Sequence, residues 1–72
     1  MNPDILKGRW HQLKGDIRAR WGKLTDDDVT HIEGHLEKMI GKLQERYGYK
    51  REEAEREISH FLDSLPKTKR TA

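Results

Sequence analysis

Leu24-Thr25-Asp26-Asp27-Asp28-Val29 reads as the start of a helix, and the order of its residues fixes where that helix begins. Thr25 is an N-cap residue whose hydroxyl can accept an amide three positions on, and Asp28 stands where a carboxylate can reach back to the cap amide. Aspartate is shorter than the glutamate usual at that position. Leu24 and Val29 occupy the two positions of a hydrophobic staple around the cap. Three carboxylates in one first turn also meet the positive end of the helix dipole. The same acidic run could be read as a cation loop, but a calcium loop needs ligands at alternate positions and a closing glutamate. That pattern is missing, and the helix start is the preferred reading.

Upstream of this run, Leu6, Trp10, Leu13, Ile17 and Trp21 recur every three or four residues, which places them on one helix face. Asn2 before Pro3 reads as a cap followed by proline at the first helical position, and Gly22 supplies the stop. A first helix is therefore predicted over residues 3–21. Downstream, the apolar spacing continues through Val29, Ile32, Leu36, Met39, Ile40, Leu43 and Tyr47 to Gly48, interrupted at Gly34. This is either one kinked helix over 26–47 or two helices broken near Glu33 to His35. A last helix is predicted over 51–64, with Ala54, Ile58, Phe61, Leu62 and Leu65 inward and Pro66 as its end. Residues 66–72 hold no apolar anchor and are expected to form a flexible basic tail on a single helical domain of residues 1–65.

An internal repeat decides between the two readings of Gly34. A shift of 26 positions carries Gly8, Gly15, Arg20, Gly22 and Ile32 onto Gly34, Gly41, Arg46, Gly48 and Ile58. It also pairs Trp10 with Leu36, Leu13 with Met39, Ile17 with Leu43 and Trp21 with Tyr47. The physical meaning is two similar helical hairpins, each burying its apolar face against the other. The second long helix then starts at Gly34, so the chain should break there. Four helices are expected. Glycines seven apart at matching places suggest close helix–helix approach at Gly8, Gly15 and Gly41, the alternative being tolerated surface positions.

Bulk properties set the remaining bounds. Seventy-two residues suffice for one core, and without cysteine there is neither a disulfide staple nor a thiolate ligand or nucleophile. Only 32% of residues are hydrophobic, 39% are charged and the mean hydropathy is −1.12. Folding must therefore rest on the spacing of the few apolar residues. No apolar run could span a bilayer. The opening Met1-Asn2-Pro3-Asp4 lacks the basic and apolar stretches of a secretory signal, so a soluble cytoplasmic protein is expected, without membrane contact and monomeric. The net charge of +2 is unevenly spread: residues 1–24 carry six basic and two acidic side chains, residues 25–47 three and six, the remainder six and five.

Several constellations resemble sites and fail on geometry. His31 and His35 have a metal-competent spacing, but Glu33 lies midway and away from their shared face, and Gly34 should break the helix between them. Ser59 and His60 are adjacent on a helix, roughly 100° apart, and cannot act as nucleophile and base. His60 and Asp63 read as a solvated pair. No metal, cofactor or catalytic residue is assigned. Lys7, His11, Lys14 and Arg18 form a basic stripe beside the apolar face of the first helix. It could follow the phosphates of a nucleic acid, yet no aromatic is expected on its solvent side, and a solvated face or docking against the acidic second helix is preferred. Trp10 and Trp21 are expected in the core.

The blocks Gly8-Arg9-Trp10, Leu13-Lys14-Gly15, Arg20 through Asp28, Ile32-Glu33-Gly34 and Gly41 through Tyr49 together resemble the CsbD-like family of bacterial general stress-response proteins, nearest its YjbJ-type members. The resemblance implies a cytoplasmic, stress-induced bacterial protein with a SAM-domain-like fold of two orthogonally packed helical hairpins. It implies no mechanism. The expected function is non-enzymatic, through binding or protecting other macromolecules; the partner is unknown, a protein being possible and a nucleic acid less so. A small DNA- or RNA-binding helical module is the alternative.

Overall fold

The computed structural model describes residues 3–65. Within them the chain forms α1 (Pro3–Gly8), α2 (Trp10–Arg20), α3 (Asp26–Ile32), α4 (Leu36–Tyr47) and α5 (Arg51–Asp63), with no strand among the described residues. The all-helical expectation holds. The count is five helices and not four, because the first helix is interrupted at Arg9, whose backbone leaves the helical region (φ −114°, ψ 19°). Gly8, a poor helix former, precedes the break. Gly34 packs close to the backbone there: a Cβ on it would lie 3.0 Å from the Lys7 Cα and 3.4 Å from the Leu6 carbonyl oxygen. The N-cap assigned to Asn2 and the basic tail at 66–72 fall outside the described residues.

The acidic helix start folds as its sequence dictates. The Thr25 hydroxyl accepts the Asp28 amide at 3.0 Å and the Asp28 carboxylate accepts the Thr25 amide at 3.0 Å. Leu24 and Val29 are both buried beside it. The start of α5 repeats half of this device: the Lys50 amide donates to Glu53 Oε1 at 3.0 Å, whereas an ammonium at Lys50 has no lone pair to return the bond. At Gly34 the chain turns through two left-handed residues, Glu33 (φ 49°) and Gly34 (φ 79°), and the His35 amide closes onto the Ile32 carbonyl at 2.8 Å. The break expected from the repeat is present.

Helix α4 is central and packs on α1, α3 and α5, while α2 packs on α3. The core holds Leu6, Leu13, Ile17, Trp21, Leu24, Val29, Ile32, Met39, Ile40, Leu43, Ala54, Ile58 and Phe61. Trp10, Leu36, Tyr47, Tyr49, Leu62 and Leu65 pack half-buried around it. Trp21, 2% exposed, meets Phe61 edge to face at 5.3 Å and joins the end of α2 to α5. Tyr47 stacks on Tyr49 and accepts the Lys23 amide at 3.1 Å, tying the α2–α3 turn to the end of α4. Arg51 clasps Glu37 across α4 and α5 through two hydrogen bonds of 2.6 and 2.8 Å. That pair is exposed, so its contribution is small.

The glycines divide by environment. The close approach is at Gly34, buried against α1, whereas Gly8, Gly15 and Gly41 face open space. The expectation of close packing at the last three is thereby corrected to the surface alternative. Gly34→Ala should destabilise the fold by at least about 2 kcal/mol, since it combines a left-handed backbone with an overpacked Cβ. Gly41→Ala should stabilise by up to about 1 kcal/mol through helix propensity alone. Urea unfolding of the two variants checks the contrast. By the same measurement Trp21→Ala should lose about 3–5 kcal/mol; a loss under about 1 kcal/mol would mean the ring is not a core element.

Candidate functional site

The basic stripe runs along one side of a groove between α1–α2 and α3. Lys7 comes from the last turn of α1, and His11, Lys14 and Arg18 follow at helical spacing on α2. Lys7, Trp10, His11 and Lys14 line one end, facing Val29, Thr30 and Glu33 of α3 and its cap. Lys14 and Arg18 line the other end, facing Asp26, Val29 and Thr30. The two hollows share Lys14, Val29 and Thr30, so they form one open trough with Val29 in its wall.

Only one member of the stripe docks on acidic α3: Arg18, partly buried, pairs with exposed Asp26. The Arg18 Nε is buried and has no partner among the described residues. Lys7, His11 and Lys14 are exposed and form no hydrogen bond or ion pair with another described side chain. Trp10 departs from the expectation. It packs against the core but is only half-buried, and it lines the trough beside Lys7, His11 and Lys14. An aromatic ring therefore does interleave with the basic stripe.

A second polar cluster lies across the α3–α4 interface. Asp28 is 3% exposed and its carboxylate is held by Arg46, which donates Nε to Oδ2 at 2.9 Å and Nη2 to Oδ1 at 3.0 Å. Lys42 Nζ stands 3.3 Å from Oδ1. The Arg46 hydrogen bonds, with the Thr25 amide, hold the Asp28 carboxyl well below the usual carboxylate range, against the opposing effect of burial. Sequence reasoning found Asp28 as a capping residue and missed its partners. Arg46 and Lys42 lie one turn apart on α4, the only local sign that they share a target.

The remaining constellations do not assemble. His31 sits on α3 and His35 caps α4, both exposed, with the Glu33–Gly34 turn between them. Ser59 and His60 remain neighbours on α5. Among the described residues there is no group of three or more His, Cys, Asp or Glu able to hold a metal, and no helix long and apolar enough to cross a membrane. A further hollow at the start of α5 is lined by Lys50, Glu52, Glu53 and Arg56. Every one of these is a charged side chain, and the hollow lacks an apolar floor.

Fold and surface thus define a small helical protein, with five helices among the described residues, whose chemically distinctive feature is an open, basic-lipped trough. The pattern of the family described as CsbD-like matches residues 4–56. The UPF0337 protein PA4738 of Pseudomonas aeruginosa is 55% identical over 65 residues, 90% of this chain and all of the relative. The UPF0337 protein ECA0631 of Pectobacterium atrosepticum is 52% identical over 63 residues, 88% of this chain and 91% of the relative. The UPF0337 protein YjbJ of Escherichia coli K12 is 53% identical over 58 residues, 81% of this chain and 84% of the relative. The chain belongs to the CsbD-like family.

The Asp28 cluster makes stability depend on acid in one direction. A carboxyl depressed in the folded state contributes fully above its unfolded value of about 3.9, and that contribution is lost as pH falls toward the folded value. Stability should therefore be flat above about pH 5 and drop below about pH 4. Arg46→Gln strands a buried carboxylate and should lose about 3 kcal/mol at neutral pH. It should also flatten the acid limb, because the Asp28 carboxyl moves back toward its ordinary value. Urea unfolding across pH tests both; an unchanged acid limb in Arg46→Gln would assign the acid sensitivity elsewhere.

Proposed function

We propose that this chain is a non-enzymatic bacterial stress-response protein, cytoplasmic and monomeric, that acts by binding other macromolecules through the basic-lipped trough. The single observation that carries the reading is that Lys7, His11 and Lys14 border a trough beside half-buried Trp10 without ion-pair partners among the described residues. Tryptophan is enriched at contact surfaces, and the basic side chains beside Trp10 set the sign of charge that a partner would carry. The likeness to CsbD-like proteins supports the stress role and supplies no reaction. With it goes the arrangement of the helices as two orthogonal, SAM-domain-like hairpins. Support for that arrangement comes from the matched starts of α2 and α4 at Trp10 and Leu36 and the buried pairs Leu13 with Met39 and Ile17 with Leu43.

A second reading, a DNA- or RNA-binding module, is favoured by Trp10 standing among the basic side chains. Asp26 and Glu33 on the facing wall weigh against it, since a phosphate chain would meet them as well. In a strain lacking its own copy, the Lys7→Glu/Lys14→Glu double variant should fail to restore stress survival at a chain level equal to the unaltered protein. Full restoration would sink the binding role of the trough. A duplex DNA titration separates the readings: three neutralised phosphates predict an affinity loss of roughly 40-fold between 50 and 200 mM salt. The preferred reading expects no DNA complex even at the lower concentration.

A further inference from the structure

Two features of the trough have no structural use. Gly8 closes α1 and Gly15 lies inside α2, and both border the trough. A side chain at either would meet nothing within 4 Å. Glycine at such a position weakens a helix relative to alanine; Gly8 precedes the break at Arg9, whereas neither turn geometry nor packing accounts for Gly15, and packing demands neither, in contrast to Gly34. A missing side chain at a lip does have one effect: it lets another backbone come close. The second feature is the spacing of the unpaired basic groups. His11 and Lys14 stand three residues apart on α2, and Lys7, at the end of α1, borders the same end of the trough, so the three form a row along one lip that is unpaired among the described residues. From Lys7 to Arg18 the trough runs about 16 Å, three turns of such a partner.

We propose that the trough is a docking site for an acidic amphipathic helix of a protein partner. Its carboxylates lie on Lys7, His11 and Lys14, its apolar seam lies on Trp10, and its backbone sits over Gly8 and Gly15. This rests on the macromolecule-binding reading and names the partner's chemistry. Charge complementarity selects the occupant. One lip carries two lysines and a histidine, while the other carries Glu33, with Asp26 already neutralised by Arg18. A helix can present carboxylates along one seam and neutral residues along the opposite one. It therefore satisfies both lips, whereas a nucleic acid strand, charged at every residue, must set phosphate against Glu33. Helix-in-groove recognition of this kind takes its affinity from the apolar seam and its register from the charged one.

The test uses the full chain and a synthetic helical peptide of about 14 residues, with Glu at i, i+4 and i+7 on one seam and Leu on the adjoining seam, three heptad-style contacts long. A control peptide carries Lys at each Glu position. Fluorescence anisotropy at low salt should show the acidic peptide binding at least tenfold more tightly than the control. Lys7→Glu/Lys14→Glu should reverse that preference. Gly15→Leu should weaken the acidic peptide at least tenfold by filling the lip, while raising the thermal midpoint, so the loss cannot be ascribed to unfolding. Equal affinity for the two peptides, or an unchanged affinity in Gly15→Leu, would overturn the proposal. Duplex DNA bound more tightly than the acidic peptide at the same salt would also overturn it, and would leave the trough standing as a binding surface. Stress survival restored in full by Lys7→Glu/Lys14→Glu is the separate result that removes the underlying reading.

Discussion

A buried carboxylate must have its lone pairs satisfied and its charge opposed, and in this protein the placement of α3 on α4 follows from meeting that requirement at Asp28. The same side chain caps α3 through Thr25 and receives both donors of Arg46 from α4. Local and tertiary structure are thereby locked by one group. Slide α4 along α3 by a turn and the cap survives, but the carboxylate faces the core without its guanidinium, at a cost of several kcal/mol. With α3 fixed on α4, the connecting turn is fixed too, and its Gly34 is driven onto the backbone of α1. The interruption of the first helix at Arg9 sits at that contact.

This rigidity matters because so little else is available. Thirteen buried apolar residues make up the core of the described region, and two of them, Trp21 and Phe61, join the end of α2 to α5. A domain of this size has stability of only a few kcal/mol to spare. Exposed glycines on helices are therefore informative when packing does not require them. Gly34 is required by its left-handed backbone and its contact with α1. Gly8 and Gly15 are required by neither, and they border the same trough as Lys7 and Lys14, which are unpaired among the described residues.

The CsbD-like relationship covers most of the chain, but membership of a family does not by itself define an activity. The distribution of charge is what gives the surface a direction. Ion pairs bind Arg18 to Asp26, Arg20 to Glu57, Arg46 and Lys42 to Asp28, and Arg51 to Glu37 and Glu55. These pairs neutralise much of the α3, α4 and α5 surface internally. Lys7 and Lys14, which take no part in them, are left on one lip of the trough, where a field of one sign can orient an incoming partner.

Spacing along the chain determined the helices themselves, every expected core residue as buried or half-buried, the Thr25–Asp28 cap and the break at Gly34. These are short-range consequences: periodicity selects a helix face, and capping acts over three residues. The 26-residue repeat extended that reach by letting one half of the sequence inform the other, though α5 starts one residue earlier than strict register predicts. Three features depended on the tertiary structure. Arg46 lies eighteen residues from Asp28, and in the repeat the position matching Asp28 is Ala54, a buried residue with no charge, so no pattern signalled a buried ion pair. The break at Arg9 lies beside a turn some 25 residues away, a proximity no local pattern announces. Trp10, expected in the core, is only half-buried and lines the trough. A helical wheel shows which face is apolar; how far a neighbouring helix extends over that face is set by the angle at which the two cross, and that angle is decided by contacts between residues far apart in the chain.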